Sequence, residues 1–170
     1  AGARGKATST GMLVWVFREL GIPVSYSVGS QRSFGSSGKF DPDAEYFIYE
    51  CDEFDRNFLK FHPYLSVIVS VDYDRPDTYP TDSDYKQSFR EFIAKSDKSI
   101  LWRQDADYID LMSDNTSWVL QPDEVLPLKL AGEHNRRNAT LVLKAVERLS
   151  NGVFSEGSAL PAVANQDQSN

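Results

Sequence analysis

The 170-residue sequence contains a single cysteine, no long hydrophobic run and fewer basic than acidic side chains. Cys51 alone cannot form an internal disulfide, and no signal-peptide pattern is visible, so we expect a reducing, cytoplasmic location. The longest apolar stretch, Leu65 to Val71, is far shorter than the roughly 20 residues that a membrane-spanning helix needs. The 18 basic and 25 acidic residues give a net charge of −7, which disfavours nucleic acid as the main partner. Membrane and nucleic acid are therefore excluded as expected partners.

Predicted strands and helices alternate along the chain. The predicted helices cover residues 12–20, 82–96 and 138–149, and the predicted strands cover 24–28, 46–49, 65–71, 99–102, 118–120 and 125–130. The runs at 46–49 and 65–71 are typical of strands buried in a parallel sheet. Asp82 or Ser83 is available as the N-cap of the second helix. The alternation predicts an α/β fold with a mainly parallel sheet flanked by helices on both faces.

The length suits one domain over residues 1–150, followed by a tail or linker over 151–170, where apolar residues are isolated among Asn, Gly, Ser, Ala and Gln. No internal repeat is visible. A glycine loop that opens a helix normally follows a strand, and no strand precedes this one. We therefore expect the domain to be truncated at its N-terminal edge.

The opening segment, Gly2 to Thr10, is a glycine-punctuated loop that leads directly into the first predicted helix. Closely spaced glycines let backbone N–H groups face an anion, the helix N-terminus adds partial positive charge, and Lys6 adds a full one. The pattern predicts a phosphate-binding loop of the P-loop type; a plain loop-to-helix turn is the alternative. A P-loop places Ser or Thr after its lysine to coordinate magnesium, whereas this chain has Ala7.

An acidic cluster, Glu50-Cys51-Asp52-Glu53-Phe54-Asp55, follows the predicted strand at 46–49. Open α/β sheets bind their ligands at the carboxyl ends of strands, and carboxylate oxygens suit magnesium. A solvated acidic loop is the alternative. Two further polar clusters, Asp72–Tyr79 and Gly132–Asn138, are open to plainer explanations: turn residues in the first, and an N-cap at Asn135 or Asn138 beside a loop histidine, His134, in the second.

In order and spacing, the four clusters resemble the ATP-binding central domain of the Mur ligases, the enzymes that build the peptide stem of the bacterial cell wall. The closest patterns are those of the members that join L-alanine to UDP-N-acetylmuramate and of the related tripeptide-recycling ligases. The family patterns and their counterparts here are G-T-H-G-K-[ST]-T-T for Gly2–Ser9, E-A-D-E-[SY]-D for Glu50–Asp55, N-x-x-x-D-H-x-D-x-[YF] for Ser70–Tyr79, and G-x-H-N-x-x-N for Gly132–Asn138.

The resemblance implies an ATP-dependent carboxylate-amine ligase of peptidoglycan precursor synthesis, which forms an amide through an acyl phosphate. ATP and Mg²⁺ are its implied cofactors, and UDP-N-acetylmuramate and L-alanine its implied partners, held by domains outside this segment, which alone should be inactive. The implied residues are Lys6, Glu50 and Arg75 for catalysis, Gly2, Gly5, Lys6, Ala7, Thr8, His134, Asn135 and Asn138 for ATP, and Glu50 and Thr8 for the metal.

Three departures from the family pattern concern the metal. Ala7 lacks the hydroxyl ligand, Arg75 replaces a histidine ligand, and Ser70 replaces an asparagine. One interpretation is a divergent ligase in which Thr8 supplies the hydroxyl and Arg75 a fixed positive charge. The alternative is a pseudoenzyme that binds nucleotide or a cell-wall precursor without turnover. A third hypothesis is an α/β module that binds no nucleotide.

Overall fold

The computed structural model describes residues 1–29, 36–74 and 76–150, which form two compact units. The first unit comprises Ala1–Lys6 and Cys51–Glu124, and the second comprises the described parts of Ala7–Glu50 and Val125–Asn170. The predicted tail, 151–170, lies outside the described residues. None of the helices in the described part of the chain has both the length and the apolar character that crossing a bilayer requires.

The described residues form four α-helices and six strands. The helices are α1 (Lys6–Glu19), α2 (Asp82–Ala94), α3 (Arg103–Tyr108) and α4 (Glu133–Leu149). The strands are β1 (Val24–Ser27), β2 (Gly38–Lys39), β3 (Tyr46–Tyr49), β4 (Leu65–Val67), β5 (Lys98–Trp102) and β6 (Ser117–Leu120). Short 3₁₀ segments cover Phe54–Lys60 and Pro122–Glu124.

The first unit is built on a three-stranded parallel sheet in the order β4-β5-β6. Helix α2 buries Tyr85, Phe89, Phe92 and Ile93, whose spacing places them on one helical face. The ring of Phe58 meets the ring of Phe89 edge-on at 5.2 Å, which joins the 3₁₀ segment to the α2 face. A single aromatic-rich core therefore supports the sheet and the acidic segment.

The second unit contains a three-stranded sheet in the order β2-β1-β3, in which β1 runs parallel to β3 and antiparallel to β2. Helices α1 and α4 supply most of its core. Phe17 of α1 meets Tyr46 of β3 edge-on at 5.3 Å. Val142 and Val146 of α4 are buried in the same cluster.

The α/β class with mainly parallel strand pairing is confirmed, although the strands form two three-stranded sheets. The expectation that residues 46–49 are fully buried was wrong. Ile48 is buried but Phe47 is 63% exposed, because alternate side chains of a strand point to opposite faces and the core covers one of them.

Other differences have local causes. Residues 125–130 form no strand: Pro127 has no N–H to donate, and the Leu128 N–H turns back to the Leu126 carbonyl. Thr81, rather than Asp82 or Ser83, caps α2 by accepting a hydrogen bond from the Asp84 N–H.

Helix α4 begins at Glu133, five residues before its predicted start at 138, with Gly132 as its N-cap. Its first turns are polar and carry no apolar periodicity, so the sequence pattern missed them. His134, Asn135 and Asn138 therefore lie inside the helix, and the expectations of a loop histidine and of an asparagine N-cap were wrong.

Candidate phosphate-binding site

The glycine loop is anchored beside strand β4 by backbone hydrogen bonds. The Ala1 nitrogen donates to Val67 O at 2.9 Å, and the Val69 N–H donates to Ala1 O at 2.9 Å, which is the pattern of a parallel bridge. Ser70 then holds the loop: its carbonyl accepts from the Ala3 N–H at 3.0 Å and its hydroxyl accepts from the Arg4 N–H at 3.0 Å. Ala1 is thus held against the end of β4, and Ser70 holds the loop that follows it.

Two glycines give the loop its shape. Gly2 has φ 139° and Gly5 has φ 77°, both in the region that side chains of L-residues disfavour. A Cβ at Gly2 would lie 2.7 Å from Ser70 O, closer than a carbon can approach that oxygen. The loop can therefore run against Ser70 only with glycine at position 2.

Lys6, the first residue of α1, points its ammonium back into this loop. Its Nζ donates to Gly2 O at 2.7 Å and to both carboxylate oxygens of Glu53, at 3.0 Å and 2.8 Å. Asp52 lies farther away, with its Oδ1 3.8 Å from Nζ, and its side chain is 53% exposed. The Glu53 side chain is fully buried and that of Lys6 is 14% exposed. The principal partner of the lysine is therefore a buried carboxylate.

Tyr79 fixes the backbone of Glu53 through a hydrogen bond. The Tyr79 hydroxyl donates to the Glu53 backbone oxygen at 2.7 Å, and the Tyr73 hydroxyl donates to Tyr79 O at 2.8 Å. Burial raises the pKa of the Tyr79 phenol, which keeps it a proton donor. The guanidinium of Arg56 lies 5.3 Å from the centre of the Tyr79 ring.

Sequence reasoning quoted Glu53 as part of the acidic cluster but assigned it no role. The available signal was its spacing from Cys51. Cys51 and Glu53 are buried and the intervening Asp52 is exposed, so Glu53 faces inward. A charged residue at a buried position needs a charged or hydrogen-bonding partner.

Glu50, the predicted magnesium ligand, belongs to the second unit, where its Oε2 accepts a hydrogen bond of 2.7 Å from the Gly29 N–H. A carboxylate so oriented suits a hard cation that takes most of its ligands from phosphate and water. Position 7 does not suit one, because Ala7 has no side-chain oxygen. Among the described residues, no three His, Cys, Asp or Glu side chains are grouped as a metal site.

The remaining predicted residues are distributed as follows. Ala7 and Thr8 lie in the first turn of α1, and His134, Asn135 and Asn138 in the first turns of α4, all in the second unit. The Asn135 amide donates to Ala131 O at 3.0 Å, and His134 is exposed. Arg75 lies outside the described residues. Gly2, Gly5 and Lys6 are brought together in the first unit, and the structure adds Glu53, Tyr79 and Ser70 to them.

Comparison by sequence finds similar proteins that share the name UDP-N-acetylmuramate–L-alanine ligase. The chain is 36% identical over 106 residues to the UDP-N-acetylmuramate–L-alanine ligase of Lactiplantibacillus plantarum, a match that covers 62% of the chain and 23% of that protein. It is 33% identical over 100 residues to the enzyme of the same name from Streptococcus pyogenes, covering 59% and 21%. The matched segment is thus less than a quarter of these relatives' length. No family model matches the chain.

Comparison by structure finds the same fold. The chain superimposes with a TM-score of 0.78 and 20% identity on UDP-N-acetylmuramate:L-alanyl-gamma-D-glutamyl-meso-diaminopimelate ligase from Neisseria meningitides, over 96% of this chain and 63% of that one. It superimposes equally well, at 0.78 and 19% identity, on UDP-N-acetylmuramate-alanine ligase from Thermotoga maritima, over 96% and 43%. At such identities the likeness establishes the fold. Together with the sequence matches, it shows that the chain is similar to these ligases both in sequence and in fold.

Proposed function

We propose that the chain is the ATP-binding central domain of an enzyme like UDP-N-acetylmuramate–L-alanine ligase. The observation that carries this proposal is the placement of Lys6 at the first residue of α1, with its ammonium turned into a loop shaped by Gly2 and Gly5. Backbone N–H groups, a helix N-terminus and a lysine at one position are the elements of a polyphosphate site.

In the proposed reaction, the substrate carboxylate attacks the γ-phosphorus of ATP, and the bond from that phosphorus to the bridging oxygen breaks to release ADP. The amino group of L-alanine then attacks the acyl phosphate, loses a proton, and expels inorganic phosphate as the amide forms. Lys6 and the amides around Gly5 to Thr8 hold the phosphates and offset the charge that develops on them.

In this proposal, the other predicted residues bind the nucleotide or the metal, or offset the charge on the phosphates. His134, Asn135 and Asn138 contact the nucleotide, and Arg75 supplies a fixed positive charge. Glu50, oriented by Gly29, and the hydroxyl of Thr8 are the groups of this chain that would hold magnesium. When bound, magnesium neutralises phosphate charge. UDP-N-acetylmuramate and L-alanine are bound by parts of the protein outside this segment.

A second candidate function, nucleotide binding without turnover, is favoured by two features. Ala7 offers no hydroxyl at the position where the family pattern has one, and the ammonium of Lys6 is already paired with a buried carboxylate. A domain with both features binds phosphate groups less readily and handles a metal differently. It would bind a nucleotide or a cell-wall precursor without turnover.

Nucleotide binding is tested by titration calorimetry of the chain with ATP, with and without magnesium. We expect weak binding that Lys6→Ala removes. Lys129→Ala is the matched control, since Lys129 is an exposed lysine of the second unit and changes the net charge equally. Equal affinities of the Lys6→Ala and Lys129→Ala chains would contradict the proposal.

Turnover is tested in the full-length protein by measuring ATP-dependent phosphate release with UDP-N-acetylmuramate and L-alanine. Two versions are compared, the natural one and one carrying Ala7→Thr with Arg75→His. Similar release by both versions supports the ligase. Release only from the double variant, with nucleotide binding by both, supports the non-catalytic alternative.

A further inference from the structure

The ammonium of Lys6 has no donor left over for a ligand in the described structure. An ammonium carries three N–H donors, and three acceptor atoms lie within 3.0 Å of Nζ: Gly2 O and the two carboxylate oxygens of Glu53. A phosphate oxygen that binds Lys6 must therefore replace one of these acceptors. Gly2 O belongs to the backbone of the loop, whereas Glu53 contributes a side chain with the same charge sign as phosphate.

The Glu53 carboxylate also resembles a phosphate group in how it engages the lysine. It presents two anionic oxygens at 2.8 Å and 3.0 Å, distances typical of charge-assisted hydrogen bonds. The carboxylate and a phosphate would compete for one cation with similar geometry. Because Glu53 is fully buried, water does not weaken its attraction for Lys6 as it would at the surface.

The backbone around Glu53 is held in place by its own contacts, so its carboxylate cannot simply move together with the ammonium of Lys6. Its backbone oxygen accepts the Tyr79 hydroxyl at 2.7 Å. Two and three residues further along, Asp55 and Arg56 have φ 51° and 54°, left-handed values that L-residues avoid. Phe58, which follows in the same segment, is fully buried and anchors it in the core. The backbone position of Glu53 is thus fixed by contacts that do not involve Lys6.

We propose that the Glu53 carboxylate is an internal competitor for Lys6, so that a polyphosphate binds the loop only by drawing the ammonium away from it. This inference rests on the proposed function, because it concerns the same lysine and the same ligand chemistry. It makes Glu53 a determinant of affinity that opposes binding. A residue that merely positioned Lys6 for phosphate would act in the opposite direction.

The test is titration calorimetry of the 170-residue chain with inorganic tripolyphosphate, and then with ATP. Glu53→Gln keeps the size of the side chain and an oxygen for Lys6 but removes the charge, and we expect it to bind tripolyphosphate about tenfold more tightly. Glu91→Gln is the matched control, because Glu91 is an exposed glutamate of α2 in the same unit. It removes the same charge, and we expect a change of less than about twofold.

Lys6→Met, made alone and together with Glu53→Gln, separates this inference from the proposed function. We expect it to abolish binding in both backgrounds. If Glu53→Gln binds no more tightly than the natural chain while Lys6→Met still weakens binding, the inference is wrong and the proposed function stands. If binding does not depend on Lys6, or no chain binds, both are wrong.

Folding is checked for every variant by circular dichroism and thermal unfolding. Should Glu53→Gln not fold, Glu53→Asp replaces it, because the shorter side chain retains the charge but withdraws it from Nζ by about one bond length. The same gain in affinity is expected, and an unchanged or lower affinity of a folded Glu53→Asp chain would overturn the inference.

Discussion

The hydroxyl of Tyr79 donates a 2.7 Å hydrogen bond to the backbone oxygen of Glu53, a residue 26 positions earlier in the chain. Through this bond the aromatic core of the first unit fixes the acidic segment that meets the glycine loop. The carboxylate of Glu53 then binds Lys6. The loop is therefore connected to the core through one buried and one partly buried polar contact, and this connection can be tested by stability measurements.

Tyr79→Phe should lower the free energy of unfolding by about 1–2 kcal/mol, because the Glu53 backbone oxygen loses its 2.7 Å hydrogen bond from the buried hydroxyl and keeps the 3.1 Å one from the Arg56 N–H. Urea unfolding monitored by circular dichroism measures the change. Tyr73→Phe is the control: it removes a hydroxyl bonded to Tyr79 O on a more exposed side chain, and should cost less than about 1 kcal/mol. Equal losses of stability in the two variants would contradict a special role for the hydrogen bond from Tyr79 to Glu53.

Lys6→Met should destabilise the chain by roughly 3 kcal/mol, since it removes the ammonium that pairs with the buried Glu53 carboxylate at 2.8 Å. Adding Glu53→Gln removes the buried negative charge and should recover a large part of the loss. The coupling between the two positions is obtained from urea unfolding of both single variants and the double variant. Additive effects would show that the contact contributes little to folding.

Gly2→Ala should destabilise by about 2 kcal/mol or more, because the added Cβ would lie 2.7 Å from Ser70 O in a backbone that also disfavours alanine. Gly21→Ala is the control, since Gly21 has φ 68° but no atom within 4 Å of the new Cβ. It should cost only the strain, about 1 kcal/mol. Thermal unfolding of both variants measures the difference, and an equal loss would exclude a steric role for Ser70.

Cys51 should react slowly with iodoacetamide at about pH 8 in the folded chain and rapidly in urea. Burial raises the pKa of its thiol from 9.0 to about 11, and the neighbouring Asp52 and Glu53 add to the rise. A reaction rate in the folded chain that matches the rate in urea would contradict the burial and the raised pKa of Cys51.

The same thiol makes stability depend on alkaline pH. Because the folded pKa is raised, the stabilisation is complete below pH 9.0 and is lost as the pH rises toward about 11. Buried Tyr85 also has a raised pKa, caused by desolvation first, but its ordinary value of 10.0 delays its effect. Cys51→Ala should therefore flatten the decline between pH 9 and 10 in particular, as measured by urea unfolding at each pH.

Local patterns predicted most elements. Helix α1 was expected over residues 12–20 from its apolar spacing, although it begins earlier, at Lys6, and strand β3 was predicted at Tyr46–Tyr49 with its observed bounds. Helix α3 was missed, because six residues are too few to show a helical period. The exposure of Phe47 was missed as well, since an apolar run does not reveal that only one face of its strand is covered.

The candidate site was predicted in part. The loop and Lys6 were identified from residue types at fixed spacing, and the roles assigned to Glu50, Thr8, Arg75, His134, Asn135 and Asn138 stay predictions. The pairing of Lys6 with Glu53 was not foreseen. Four carboxylates occur within the six residues Glu50–Asp55, and composition gives no means of choosing among them.

The sequence by itself determined the α/β class, the glycine loop and the lysine that follows it, because hydrophobic periodicity, turn residues and helix starts depend on near neighbours in the chain. Only the tertiary structure decided which carboxylate meets Lys6 and which tyrosine holds it. Those partners lie 47 and 26 residues apart, and burial, which gives such contacts their strength, exists only once the core has formed.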